Sequence, residues 1–99
     1  MNEKMKNMHF DLLFQAILSL KSEEEVGAFF EDICTINEMK AMLQRLQVAE
    51  LLDRGEQYSR IVAETGASTA TISRVNRCLL YGSDGYRLVL DRMKQKGDR

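Results

Sequence analysis

Thr69, Ala70, Ser73, Arg74 and Arg77 are the residues of this sequence whose types and spacing best suit chemistry at a surface. Hydroxyls donate and accept hydrogen bonds. Guanidinium groups offer a fixed fork of donors that fits guanine or a phosphate, and alanine lets a backbone come close to a partner. That combination suits hydrogen bonding to base edges in a duplex groove, not bond cleavage. The sequence offers no nucleophile and base to pair: the single histidine, His9, lies near the chain start, no carboxylate pair shares an evident pocket, and no glycine loop cradles a phosphate. Cys34 and Cys78 are isolated thiols without a CxxC motif, which predicts small, buried or half-buried hydrophobes in a reducing compartment and neither a disulfide nor a zinc site. No metal, cofactor or catalytic residue is expected.

For these side chains to share a face, two short helices must hold them. Ile61, Val62 and Thr65 mark the inner side of a helix over 58–65, and Ile72, Val75 and Leu79 mark that of a second over 69–79. With those inside, Thr69, Ala70, Ser73, Arg74 and Arg77 turn outward. Only Gly66, Ala67 and Ser68 join the two helices, so they must cross steeply, and the turn needs a residue that tolerates positive φ, which Gly66 supplies. Ser68 can cap the free amides of the second helix with Thr71 at the third position, and Thr71 is then suited either to the helix start or to a ligand. The whole reads as a helix-turn-helix. Between Tyr58 and Tyr81, Arg60, Arg74 and Arg77 stand against Glu64 alone.

The remainder predicts an all-α scaffold. The chain has 99 residues, no proline, six glycines and a formal net charge of −1, so any affinity for a polyanion must come from a local patch. Phe10, Leu13, Phe14 and Ile17 predict a first helix from about residue 5 to 20. SEEE (22–25) and TINE (35–38) predict capping boxes opening a second helix, with Val26, Phe29, Phe30 and Ile33 inside, and a long third helix closed by Gly55. Met39, Met42, Leu43, Leu46, Val48, Ala49, Leu51 and Leu52 cover more than one face of the third helix, which implies a second copy packed on it or a compact monomer in which the first two helices cover it. Ser83 or Asp84 can cap a last helix with Tyr86, Val89, Leu90 and Met93 inside. The tail from Lys94 should fray, and Lys4, Lys6, Lys94, Lys96 and Arg99 can brush phosphates. The expected organisation is one domain over 1–99, with 1–54 mainly for dimerisation, 56–80 as the helix-turn-helix and 83–95 as the C-terminal helix. No apolar run approaches the roughly 20 residues that span a bilayer, so no membrane contact and a cytoplasmic location are expected.

The run LQRLQVAELLDRGEQYSRIVAETGASTATISRVNRCL, within Thr35 to Leu79, resembles the Trp-repressor superfamily, in particular its YerC/YecD-like branch. The resemblance implies a six-helix protomer, an intertwined homodimer and a transcription regulator; because one helix-turn-helix reads only a few base pairs, a dimer is expected to bind palindromic or near-palindromic double-stranded DNA, as a repressor. It implies Ser59, Arg60, Thr69, Ala70, Thr71, Ser73 and Arg74 as DNA-binding positions, to which the cap at Ser68 and the outward place of Arg77 add those two residues. An effector pocket would fall on Thr35, Arg45, Arg74 and Cys78. The family's glycine beside the indole ring is Val75 here and its serine one turn on is Cys78, so the resemblance implies a regulator that is not tryptophan-dependent, with any small-molecule effector unidentified. The alternative is a protein-interaction module on the same scaffold, marked by salt-insensitive or absent DNA binding.

Overall fold

The computed structural model describes residues 3–96; Arg99, expected to brush phosphates, lies outside them, as does the side chain of Lys6. Among the described residues seven helices follow one another: α1 (Glu3–Asn7), α2 (Asp11–Leu18), α3 (Glu23–Ile33), α4 (Ile36–Asp53), α5 (Tyr58–Thr65), α6 (Thr69–Tyr81) and α7 (Gly85–Gln95). No strand occurs among the described residues. The chain divides into two compact units, residues 1–39 and 40–99.

In the first unit the expected single helix from residue 5 to 20 is two helices. His9 adopts φ +55, a left-handed conformation that histidine tolerates better than most residues but that a right-handed helix cannot pass through. This accounts for seven helices where six were expected. Leu13 and Phe14 of α2 are half-buried, the Phe14 ring stacks at 6.0 Å on Phe10, which precedes the helix, and Ile17, expected inside, is exposed. The Glu25 amide donates to Ser22 Oγ at 3.1 Å, while the Glu25 carboxylate accepts from the amide of Lys21, one residue earlier than in a standard capping box. The second box closes fully: Glu38 N–H donates to Thr35 Oγ1 at 3.1 Å and Thr35 N–H to Glu38 Oε1 at 2.8 Å, which holds the Glu38 carboxyl below its ordinary range. None of the described side chains of 3–39 is buried, and Leu12, Leu18, Ile33 and Ile36 are more than half exposed.

The second unit has a core. Val48 and Ala49 of α4, Ile61 of α5, Ala67 of the turn, Ile72 and Val75 of α6 and Leu90 of α7 are buried together, with Leu46, Leu51, Leu52, Leu79 and Tyr86 packed around them. Each fully buried aliphatic side chain of this size contributes about 1.5–3 kcal/mol. Val62, expected inside, is 38% exposed, because adjacent positions on a helix lie about 100° apart and Ile61 takes the core. Val89 is displaced outward in the same way by Leu90. Met42 and Leu43, on the α4 stripe, are also exposed.

Asp53 ties the end of α4 to α7. Arg87 reaches it at 2.6 Å and Lys94 at 2.9 Å, its side chain is only 8% exposed, and the two cations hold its carboxyl below the ordinary aspartate range. Lys94 is therefore in a helix and ion-paired, not in a frayed tail. Asp84 opens α7 in a left-handed conformation (φ +63) and makes no side-chain cap bond, so the predicted carboxylate cap does not form; its carbonyl accepts from Leu88 N–H at 2.9 Å.

Candidate nucleic-acid interface

The candidate site lies wholly in residues 40–99, on α5, α6 and the turn between them. Gly66 ends α5 with φ +72, its amide donating to Val62 O at 2.9 Å. Two further bonds fix the turn. Thr65 Oγ1 donates to Ile61 O at 2.7 Å and accepts from Ala67 N–H at 3.1 Å, so one hydroxyl serves both sides of the bend. Gln44 Nε2 of α4 donates to Thr65 O at 3.1 Å and anchors the bend to the long helix. Ala67, 2% exposed, seats the turn in the core. Neither Thr65 nor Gln44 was recognised in the sequence for this role; a hydroxyl residue two positions before a buried amide is the signal that points to Thr65.

Ser68 caps α6 as predicted, accepting from Thr71 N–H at 3.1 Å. Its hydroxyl also donates to Thr71 Oγ1 at 3.1 Å, and Thr71 is half-buried, so Thr71 is engaged at the helix start. With Ile72 and Val75 buried and Leu79 half-buried, Thr69, Ala70, Ser73, Arg74 and Arg77 are all exposed along the outer flank of α6. The helix runs two residues past its expected end at Leu79. Tyr81, 82% exposed, thereby joins the flank: it sits four residues after Arg77 and was missed because the helix was expected to be shorter.

The electrostatics of the two helices differ. Ser59 is exposed in the first turn of α5, and Arg60 beside it pairs with Glu64 at 2.7 Å and with Glu56 at 3.6 Å; Glu64 and then Glu56 raise its pKa and hold it charged. Two carboxylates therefore already occupy Arg60. Arg74 and Arg77 make no ion pair among the described residues, and no Asp or Glu occurs between Thr65 and Ser83. The uncompensated positive charge of the motif is concentrated on α6.

The positions named for an effector fall in both units. Thr35 belongs to the first unit, where its hydroxyl caps α4. In the second unit Arg45 is exposed and makes no ion pair among the described residues, Cys78 is exposed, and Val75 is buried in the core. An open groove beside the motif is lined by Gln47, Glu50, Leu51, Arg54, Glu64 and Thr65. Among the described residues no cluster of His, Cys, Asp or Glu is suited to a metal ion, and no helix is long and apolar enough to cross a membrane.

Comparison with known proteins gives these features a family. The chain is 55% identical over 93 residues to the uncharacterized protein YerC of Bacillus subtilis (strain 168), covering 94% of this chain and 89% of that one. It superposes on a TrpR-like protein from Eubacterium eligens ATCC 27750 with a TM-score of 0.89 at 54% identity, covering 94% of this chain and 96% of the other. A candidate Trp repressor from Staphylococcus aureus gives a TM-score of 0.87 at 51% identity, with 93% and 92% covered. The family described as Trp repressor protein matches residues 8–94, and the chain belongs to it.

Proposed function

We propose that the chain is a sequence-specific, DNA-binding transcription regulator of the repressor type that acts in the cytoplasm as a homodimer on a two-fold operator. One observation carries this reading: α6 presents Thr69, Ala70 and Ser73 followed by Arg74 and Arg77 on one exposed flank, with no carboxylate from Thr65 to Ser83 to neutralise them. A recognition helix needs small and hydroxyl-bearing residues where it approaches base edges and cations that meet guanine or phosphate. Ser68 and Ser59 add hydroxyls at the starts of α6 and α5, and Arg60 reaches a phosphate by exchanging its carboxylate partners.

The homodimer is supported by the exposed apolar residues of α2 to α4, among them Leu12, Leu18, Ile33, Ile36 and Leu43, each more than half exposed in the single chain. A single helix-turn-helix reads few base pairs, and pairing two at about 34 Å makes a usable reader. Regulation is independent of tryptophan in this reading, because Val75 places a side chain where the family resemblance puts the glycine that admits the indole. Any effector of another kind would draw on Arg45, Arg74 and Cys78, all in the second unit.

Selection of bound sequences from random DNA at fixed salt, with and without tryptophan, tests the proposal. An enriched two-fold motif, unchanged by tryptophan, with affinity falling as salt rises, is expected. Absence of enrichment in both conditions would favour a protein-interaction module on the same scaffold, and a tryptophan-dependent gain would refute the view of Val75.

A further inference from the structure

The outward row of α6 does not stop at its arginines. Ala70, Arg74, Arg77 and Tyr81 are separated by four, three and four residues, the spacing that stacks side chains along one flank of a helix. The end of the helix fixes the last of them. Gly82 donates its amide to Cys78 O at 2.9 Å, and a Cβ at position 82 would fall 2.5 Å from that same oxygen, so only glycine lets the chain close here. Tyr81 is thus held on the final turn, 82% exposed, with no hydrogen bond to its hydroxyl among the described residues.

We propose that Tyr81 is a further DNA contact, to a backbone phosphate and not to a base. The inference rests on the DNA-binding reading above and extends it. Helical rise places Tyr81 about 16 Å along the axis from Ala70, and the major groove is about 12 Å wide. Residues near the start of a recognition helix meet the base edges, so a side chain this far on meets the phosphate-lined wall of the groove. The chemistry agrees. A phenol donates one hydrogen bond to a phosphate oxygen, as tyrosines do at such interfaces, and it has no paired donor and acceptor with which to distinguish bases. The row carries Arg74 and Arg77 with no acid from Thr65 to Ser83, which favours an anionic partner; the next carboxylate, Asp84, lies beyond the end of the helix. Leu80, also exposed, is the adjacent residue and falls off the row.

The full-length protein and its selected operator provide the test, with affinity measured across a salt series and a panel of single base-pair changes. Tyr81→Phe keeps the ring and removes the hydroxyl. It should weaken binding about three- to tenfold for every sequence in the panel, leaving the ranking of base changes intact. The salt slope should stay at the wild-type value, because a neutral hydroxyl displaces no counterion, whereas Arg77→Ala should reduce it if that side chain meets a phosphate. Sedimentation should show the same assembly for Tyr81→Phe and wild type. Wild-type affinity in the variant would overturn the inference and leave the DNA-binding reading standing. A changed ranking of base variants would make Tyr81 a base reader, and a changed assembly state would place it in a subunit interface; either result also overturns the inference. Wild-type protein that binds no DNA at all would instead remove the underlying reading, before any variant is compared.

Discussion

Gly66→Ala isolates the backbone geometry of the turn from every packing effect. Gly66 has φ +72, and a Cβ built there meets no heavy atom within 4 Å. The cost of alanine is therefore conformational: about 1–2 kcal/mol to hold an L-residue in the left-handed region, offset by about 0.4–1 kcal/mol from the reduced freedom of the unfolded chain. The net loss is about 1 kcal/mol, equivalent to a fall of about 4–8 °C in Tm for a domain of this size. Gly66→Asn should lose less, since asparagine visits the left-handed region more readily. Thermal unfolding at one fixed protein concentration measures both variants, because an assembling protein melts at a concentration-dependent temperature. Gly55 has φ +84 and the same open surroundings, so Gly55→Ala serves as the matched case with an equal stability loss. An alanine variant that melts with wild type would refute the strain argument. Asparagine as damaging as alanine would show that space, not φ, selects glycine.

Ser68→Ala should cost about 1 kcal/mol in urea unfolding, because Thr71 N–H loses its cap, and Ser68→Asp should retain most of the wild-type stability. Thr65→Val keeps the shape but strands the amide of Ala67, so a loss of about 1–2 kcal/mol is expected by the same measurement, with wild-type stability as the contrary result. The Asp53 carboxyl is held below its ordinary range by Lys94 and Arg87. Its contribution is thus complete above the unfolded-state value of about 4 and is lost as pH falls through the lower folded value. Unfolding followed from pH 6 to pH 2 should show a shallower acid decline in Asp53→Asn, together with a loss of about 1 kcal/mol at pH 7. Arg74→Ala should weaken operator binding about tenfold or more; a loss concentrated at one base pair would identify a guanine contact, and a uniform loss a phosphate contact.

Much of this was legible in the sequence, for identifiable reasons. Ser22, Thr35 and Ser68 cap where they were expected to because a cap is local: a hydroxyl and an amide three residues apart meet with little help from the rest of the chain. The same holds for Gly55 and Gly66, where the backbone demands a conformation and one residue type supplies it. Apolar spacing also placed Ile61, Ile72 and Val75 inside. It failed at Val62 and Val89, since hydrophobicity alone does not decide which of two adjacent apolar residues points to the core. His9 and Asp84 were unreadable for a related reason: both are left-handed residues that are not glycine, and nothing in their immediate neighbours announces it. Arg60 was counted as surplus charge because its partners follow from helical pairing on both sides, and Glu56 lies just outside the helix boundary. At the candidate site, the outward flank was read correctly as far as the helix was thought to extend, and Tyr81 was lost with its last turn.

Burial is divided unequally along the chain, and this bears on how the proposed reading head is held in position. Residues 40–99 bury a shared core without help from another molecule, whereas the described residues of 3–39 bury none of their own side chains. Helices α2 and α3, of eight and eleven residues, are too short to be stable in water on local propensity alone, so their exposed apolar stripes must be covered for the unit to persist. The α4 helix belongs to both regimes: Val48 and Ala49 enter the core that supports the turn at Gly66, while Met42 and Leu43, less than two turns earlier, are exposed. In a two-fold assembly through that exposed half, one rigid helix would connect the subunit contact to the packing beneath α6. The separation of the two recognition helices would then be set by helix geometry and not by a flexible linker, and operator half-site spacing would tolerate little variation.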